Sequence, residues 1–183
     1  LDWEDIKTYE LLGKGKTLAV FQFESDKMAE YLSKLKPTTL EDLIAMNALY
    51  RPGPMDNIPD FIDRKQGRKA ITYLHPIMEK SLSKTYGIIV YQEQVMQIVQ
   101  SVGGFSLGGA DLVRRAMGKK IKEEMDKLKG QFASGAEQKG FTKAYAEELF
   151  DLIVKFAGYG FNKSHSAAYA LITFYTSYLK CYY

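Results

Sequence analysis

The sequence predicts a mainly α-helical protein in which several helices are joined by short, irregular and extended connectors. Apolar residues recur at helical spacing through most of the chain, a periodicity typical of helices with one buried face. One such run consists of Tyr145, Leu149, Ile153 and Phe156. Only the stretches 18–23 and 88–91 carry the β-branched and aromatic residues of a strand, and either could instead be an extended connector. Glycine and proline breakers separate the helical segments, at 36–37, 51–54, 103–104, 108–109 and 158–160.

The first helices follow from the same periodicity. Helical patterns run through residues 28–35, 40–49 and 94–102. Thr38 or Thr39 is placed to cap the second of them, because a hydroxyl before a helix accepts a hydrogen bond from its free backbone N–H groups.

The last helix, from about Ser164 to Tyr182, is apolar nearly all round. Such a pattern predicts a central helix or one that has lost a neighbour. The chain has no initiator Met and ends on the apolar run 181–183, which suggests a piece of a longer chain. We therefore expect some exposed apolar surface at the ends.

The composition is that of a folded protein of ordinary size. The 183 residues are 46% hydrophobic and 26% charged, which fits one domain with a real core. The formal net charge of +3 is too small by itself to indicate a nucleic-acid-binding protein. Cys181 alone cannot form an intramolecular disulfide, and two histidines without cysteine pairs leave no plausible zinc site. With no apolar run of about 20 residues and no signal peptide, these features fit a reducing, cytoplasmic setting without a membrane.

The sharpest charge feature is a basic cluster with no acid between its members. It contains Arg114, Arg115, Lys119, Lys120 and Lys122. Adjacent arginines on a helix point about 100° apart, so they could flank a triphosphate and meet different phosphates. The alternative is a solvated basic helix end that complements the helix dipole.

A second candidate is the segment 158–169, where a glycine-rich turn enters the last helix. Asn162 or Ser164 could cap that helix, and Lys163 would add a cation near its free N–H groups, which predicts an anion site. The alternative is an ordinary capped helix, and His165 by itself is more often structural than catalytic. Tyr159, between the two glycines, is a possible base or template contact.

Three further polar residues are weaker candidates for base or template contacts. Gln92 and Gln94 lie where an apolar connector enters a helix, so their amides could bind a base or cap the helix. Arg51 precedes the rigid corner 52–54 and could touch a phosphate, although the sequence favours a purely architectural corner. We find no carboxylate pair suited to two-metal phosphoryl transfer, so the chain is expected to bind and not to catalyse.

Five blocks, taken in order along the chain, resemble the family of bacterial DNA polymerase III alpha subunits, which are C-family replicative polymerases. The blocks are residues 19–25, 51–54, 86–96, 107–120 and 158–170. The resemblance implies that 1–183 is a fingers region, with 1–16 a lead-in helix at the palm boundary and 17–183 the fingers. It also implies that the catalytic aspartates of the palm precede this segment, so that Mg²⁺ is bound in the intact enzyme and not here.

The resemblance further implies a role for each candidate in chromosomal DNA replication, by a nucleotidyltransferase. Arg114 and Arg115 match the family's triphosphate clamp, and Lys119 and Lys120 are expected to bind phosphate beside them. The block of Asn162, Lys163, Ser164 and His165 borders the family's nucleotide site. The implied partners are a deoxynucleoside triphosphate (dNTP), primer–template DNA, the remaining domains of the same chain and, through other regions, further replicase subunits. Two other hypotheses stay open at this stage: a stand-alone helical DNA-binding module without a nucleotide pocket, and a purely structural helical domain.

Overall fold

A computed structural model of the protein describes residues 2–119 and 122–183. Within these ranges the regular structure is entirely helical, as the sequence predicts. The α-helices are α1 Ile6–Gly13, α2 Asp26–Leu35, α3 Leu40–Leu49, α4 Ile58–Lys65, α5 Glu79–Leu82, α6 Gln92–Gly103, α7 Leu107–Lys119, α8 Lys122–Glu137, α9 Lys143–Ala157 and α10 Lys163–Tyr182. Short 3₁₀ turns cover Pro54–Asn57, Pro76–Met78 and Ser83–Thr85. None of the described helices is long and apolar enough to span a bilayer.

The chain divides into two compact units. The first unit contains the residues up to Ile71 together with Asn162–Tyr183, and the second unit is the continuous segment Thr72–Phe161. That residues 1–183 form one fingers region stays a prediction, because compactness by itself does not assign a functional domain.

The first unit is built on the contact of α3 with α10, to which α1 and α2 are added. Seven of the ten residues of α3 are buried, including Asp42. The Asp42 carboxylate accepts the backbone N–H groups of Thr38 (2.9 Å) and Thr39 (3.2 Å) and pairs with Lys65 Nζ at 3.0 Å. Since Thr39 in turn accepts from the Asp42 N–H, the two residues form a capping box that fixes the start of α3.

Helix α10 buries its small and hydroxyl-bearing face and exposes part of its apolar face. Ser166 Oγ donates to the Ile44 carbonyl at 2.5 Å, and Thr173 Oγ1 donates to the Phe21 carbonyl at 3.1 Å. The outward side chains include Ile172, Tyr175 and Leu179. Small residues and satisfied hydroxyls let α10 approach its neighbours closely, so its apolar composition does not mean that it is buried on every side.

The second unit packs α6 against α7 and α8, and α8 against α9, around a core that includes Phe132 and Phe150. The end of α6 meets α8 through backbone: a Cβ atom built on Gly135 would lie 1.9 Å from the carbonyl oxygen of Gly103. No side chain larger than hydrogen fits at this crossing, so both helices depend on glycine there.

Two details of the sequence interpretation need correction. The stretch 18–23 is not a strand but a series of turns, with Ala19 and Gln22 at φ values of 62° and 64°. Its apolar spacing arises because Val20 and Phe23, three residues apart, are both buried. Gly108 and Gly109 do not break a helix but lie in the first turn of α7, where Gly109 N–H donates to Ser106 Oγ at 3.1 Å.

The stretch 88–91 is an extended connector. Its only regular pairing within the described ranges is a parallel bridge between Tyr91 and Phe161. Phe161 N–H donates to the Val90 carbonyl at 3.1 Å, and Gln92 N–H donates to the Phe161 carbonyl at 3.0 Å. These bonds join the start of α6 to the residue that follows the glycine turn after α9.

Candidate functional site

Helix α7 provides a fixed platform for the arginine pair. Its buried face is formed by Ala110, Val113, Ala116 and Met117, and three of these residues, Ala110, Val113 and Met117, belong to the core of the second unit. Arg114 and Arg115 lie between these buried positions, so the helical period directs them away from the core. The exposed fractions of their side chains are 31% and 63%.

Both guanidinium groups contact one carboxylate, that of Asp111. Arg114 Nε donates to Asp111 Oδ1 at 2.8 Å, and Arg114 Nη2 lies 2.8 Å from the same oxygen. Arg115 Nη2 lies 2.8 Å from Asp111 Oδ2. The hydrogen bond from Arg114 and the nearby positive charges lower the pKa of Asp111, so the carboxylate is ionised at neutral pH. The two arginines therefore converge on one point in this structure, although their sequence spacing suggested that they diverge.

The contact with Asp111 is not predicted from the acid-free stretch 112–120 alone, because Asp111 lies just before it. The signal was present, since Asp111 stands three and four residues before the two arginines, the separations at which side chains on a helix surface meet.

The remaining cations of the basic cluster extend along the same part of the chain. Lys119, at the end of α7, and Lys122, at the start of α8, are exposed, whereas Lys120 lies outside the described residues. Gly118 is also exposed, and a Cβ atom built there would meet no atom within 4 Å. A ligand on this end of α7 would therefore meet little steric obstruction from Gly118.

The described residues form a cleft of about 540 Å³ in the first unit and one of about 730 Å³ in the second. The cleft of the second unit is bounded by α8, α9 and the end of α7, and its lining includes Met117, Lys122 and Tyr159. Tyr159 is 55% exposed. The structure thus brings two of the predicted features together, the end of the basic cluster and Tyr159, on one cleft.

The segment 162–165 lies in the first unit and forms the start of α10. Asn162 is the N-cap, and its Oδ1 accepts the His165 N–H at 2.8 Å. Lys163 Nζ pairs with Glu41, 3.0 Å from Oε2 and 3.2 Å from Oε1. The His165 ring packs on Tyr169 with ring centroids 4.4 Å apart. Ser164 is exposed.

These contacts give the segment a structural role whether or not it binds an anion. Asn162 satisfies one of the free N–H groups of the helix start, and Glu41 already balances the charge of Lys163. A phosphate at this position would compete with Glu41 for the ammonium group.

Gln94 is a buried structural residue. Its Oε1 accepts the N–H groups of Val90 (2.8 Å) and Tyr91 (3.0 Å), while its Nε2 donates to the Ser81 carbonyl (3.2 Å) and to Thr85 Oγ1 (2.8 Å). Since these four bonds use both donors and both acceptor sites of the amide, we do not carry Gln94 into the proposed site. Gln92 is half-buried beside Gly160.

Arg51 is half-buried at the corner that precedes Pro52. Its Nε donates to the Ala48 carbonyl at 2.9 Å, and burial lowers the pKa of its guanidinium. Gly53 has φ 96°, a value that favours glycine, and Pro54 begins a 3₁₀ turn. Arg51 thus supports the corner itself, which agrees with the architectural alternative.

The carboxylates of the described residues are spread over separate ion pairs and caps. Asp60 pairs with Arg64 and Lys69, and Asp63 pairs with Arg68. In the part of the chain that the structure describes, no group of three or more His, Cys, Asp or Glu side chains could hold a metal ion.

Comparisons with known proteins agree on one family. The family model for the bacterial DNA polymerase III alpha subunit finger domain matches residues 1–140. The chain is 63% identical to the DNA polymerase III subunit alpha of Campylobacter jejuni over 100% of its own length and 15% of the relative's. For the subunits of the same name from Borreliella burgdorferi and Bacillus subtilis, the identities are 56% and 52%, over 98% and 100% of this chain and 16% of each relative. The chain thus spans less than a fifth of the length of these relatives.

Proposed function

The chain belongs to the finger-domain family of the bacterial DNA polymerase III alpha subunit, and from this premise we propose that α7 binds the triphosphate of an incoming dNTP. The intact protein would be a DNA-directed DNA polymerase of chromosomal replication in the bacterial cytoplasm. The observation that carries the proposal is the convergence of two guanidinium groups on one point of an anchored helix.

The chemistry of the arginine pair supports this assignment. A guanidinium group carries five N–H donors in a planar fork that matches phosphate oxygens, and hydrogen bonds between ions are roughly twice as strong as neutral ones. Asp111 occupies only some of the donors of Arg114 and Arg115. The carboxylate held between the two arginines carries negative charge and two acceptor oxygens, and a phosphate group offers the same features, so the site suits an anion of that kind.

Other parts of the ligand have weaker candidates. Lys119 would add positive charge one turn beyond Arg115, and Tyr159 could stack on a base, since base–aromatic stacking contributes about 1–3 kcal/mol per base. The block 162–165 is the second choice for nucleotide contacts because it resembles the family's nucleotide-bordering block. We include Gln92 and Arg51 only as possible template contacts.

The rest of the polymerase supplies what this chain does not provide. As the resemblance implies, Mg²⁺ and the catalytic aspartates would belong to the palm, primer–template DNA would span several domains, and other replicase subunits would bind elsewhere. We therefore expect the isolated chain to incorporate no nucleotide.

The test replaces Arg114 and Arg115 singly by Ala in the intact polymerase that carries this segment. We expect kcat/KM for dNTP to fall roughly 10- to 150-fold in each variant, because each variant loses one charge-assisted hydrogen bond of about 1.5–3 kcal/mol. Affinity for primed DNA at one fixed salt concentration should change little. Lysine should restore activity only partly, since a point charge cannot make the two-pronged contact.

Arg68→Ala is the matched control, because Arg68 is an exposed arginine that pairs with an aspartate at 2.8 Å in the first unit. It should leave kcat/KM unchanged. A collapse of DNA affinity with normal nucleotide dependence in the Arg114 and Arg115 variants would favour a DNA-backbone-binding module instead. If neither property changes, the arginines form only a solvated helix end.

A further inference from the structure

Asp111 is the acidic residue closest to the proposed triphosphate site, and its position is unexpected for a polyanion-binding surface. A carboxylate beside a triphosphate repels it, so electrostatics alone would disfavour Asp at this position. Yet Asp111 contacts both arginines at 2.8 Å and has no other role in the fold that its contacts suggest: its side chain is 30% exposed and its partners are Arg114 and Arg115. Its contacts with the two arginines are therefore what must explain an acid at this position.

Holding the arginines supplies this explanation. Two adjacent guanidinium groups repel each other, and each long side chain has many rotamers, so an isolated pair would point in varied directions. One carboxylate that accepts from both offsets the repulsion and limits the rotamers. Arg114 is held through both Nε and Nη2, which fixes the plane of its guanidinium group more firmly than a single contact would.

We propose that Asp111 is a positioning residue that holds the guanidinium groups of Arg114 and Arg115 together, so that they meet the triphosphate as one preformed site. The proposal rests on the proposed function. Asp111 itself does not touch the nucleotide; it acts through the two arginines, whose remaining N–H groups bind phosphate oxygens.

The direction in which KM for dNTP changes when Asp111 loses its charge separates this proposal from simple electrostatics. Asp111→Asn keeps the size of the side chain but removes its charge and turns one acceptor oxygen into a donor. If Asp111 only repels phosphate, KM for dNTP falls in the variant. If Asp111 holds the arginines, then in the variant the two side chains become ordered only when the nucleotide binds. We therefore expect KM to rise about 3- to 10-fold, which is the effect of immobilising one or two long side chains.

The experiment measures kcat and KM for dNTP with the intact polymerase carrying Asp111→Asn, alone and together with Arg115→Ala. The proposal expects a raised KM, kcat within about 2-fold, unchanged affinity for primed DNA and partial recovery of KM in Asp111→Glu, which restores a carboxylate one methylene further out. In the Arg115→Ala background the effect of Asp111→Asn should be smaller, because Asp111 then holds only Arg114. The KM change and its dependence on Arg115 would not arise from a general loss of stability.

Asp63→Asn is the matched control, since Asp63 Oδ1 binds Nε and Nη2 of Arg68 at 2.8 Å, the same two-atom contact in the first unit. It should leave KM unchanged. A KM for Asp111→Asn that is lowered or equal to wild type overturns the proposal, as does an undiminished effect in the Arg115→Ala background. If the arginine variants are impaired and Asp111→Asn is not, only the positioning role fails; if the arginine variants are normal, the proposed function fails.

Discussion

The glycine crossing of α6 and α8 gives the sharpest stability prediction, with opposite signs for two identical substitutions on one helix. In Gly135→Ala the new methyl group would lie 1.9 Å from the Gly103 carbonyl oxygen and 2.7 Å from its carbon, so backbone must move by more than 1 Å. Overpacking of a close-packed core costs about 1–3 kcal/mol and occasionally more, whereas alanine in a helix gains about 1 kcal/mol over glycine. Because backbone yields less readily than a flexible side chain, we expect a net loss of about 2 kcal/mol.

Gly130→Ala is the control, since Gly130 is exposed on α8 and a Cβ atom there meets nothing within 4 Å. This variant should gain about 0.5–1 kcal/mol from helix propensity alone. The assay is thermal unfolding of the 183-residue chain, in which 1 kcal/mol corresponds to roughly 2–4 °C. We expect Tm to fall by about 4–8 °C for Gly135→Ala and to rise by about 1–4 °C for Gly130→Ala. Equal Tm values for the two variants would refute the close backbone contact between α6 and α8.

Three further predictions concern the first unit. Asp42→Ala should lower the free energy of unfolding by about 3–5 kcal/mol, because it leaves the charge of Lys65 buried and unpaired. Denaturant unfolding measures this loss, and a much smaller loss would show that the pair is solvated. Burial raises the pKa of Tyr9, so its neutral form is favoured on folding; this stability is present below about pH 10 and is lost as the pH rises above it. Tyr9→Phe should therefore flatten the alkaline decline in unfolding midpoint, and an unchanged slope would contradict the assignment. Cys181→Ser should change stability by no more than about 0.5 kcal/mol, since the thiol is unpaired and only half-buried, and a larger change in Tm would indicate tight packing.

Sequence reasoning succeeded where the determining interactions are local. The sequence predicts a cap at Thr38 or Thr39 for α3 and at Asn162 or Ser164 for α10, and in the structure Thr39 and Asn162 are the caps, each accepting a backbone N–H within the first turn. The extent of α3, 40–49, follows from the same cap and the apolar pattern. The mainly helical class and the family membership were both confirmed, the first by the structure and the second by the comparisons.

The sequence alone does not predict features that depend on which helices contact each other. Periodicity identifies a buried face but not its partner, so neither the division at Ile71 and Asn162 nor the burial of Gln94 could be anticipated. Gly108 and Gly109 predict a break because glycine weakens helices, but the Ser106 cap and the buried face of α7 outweigh that cost. The spacing of Asp111 to Arg114 and Arg115 allows their contact, but spacing alone does not decide which of several nearby charges each arginine pairs with.

The discontinuity of the first unit has a consequence for synthesis on the ribosome. The second unit is one continuous segment, so it can fold as soon as Phe161 has emerged from the exit tunnel. Helix α3, by contrast, must wait for α10, which begins more than 100 residues later in the chain. At about 5–20 residues per second the delay is roughly 5–25 s, during which the face of α3 that contacts α10 lacks its native partner. The nascent first unit is therefore a natural client for a chaperone that binds exposed apolar helix faces until translation brings α10 into reach.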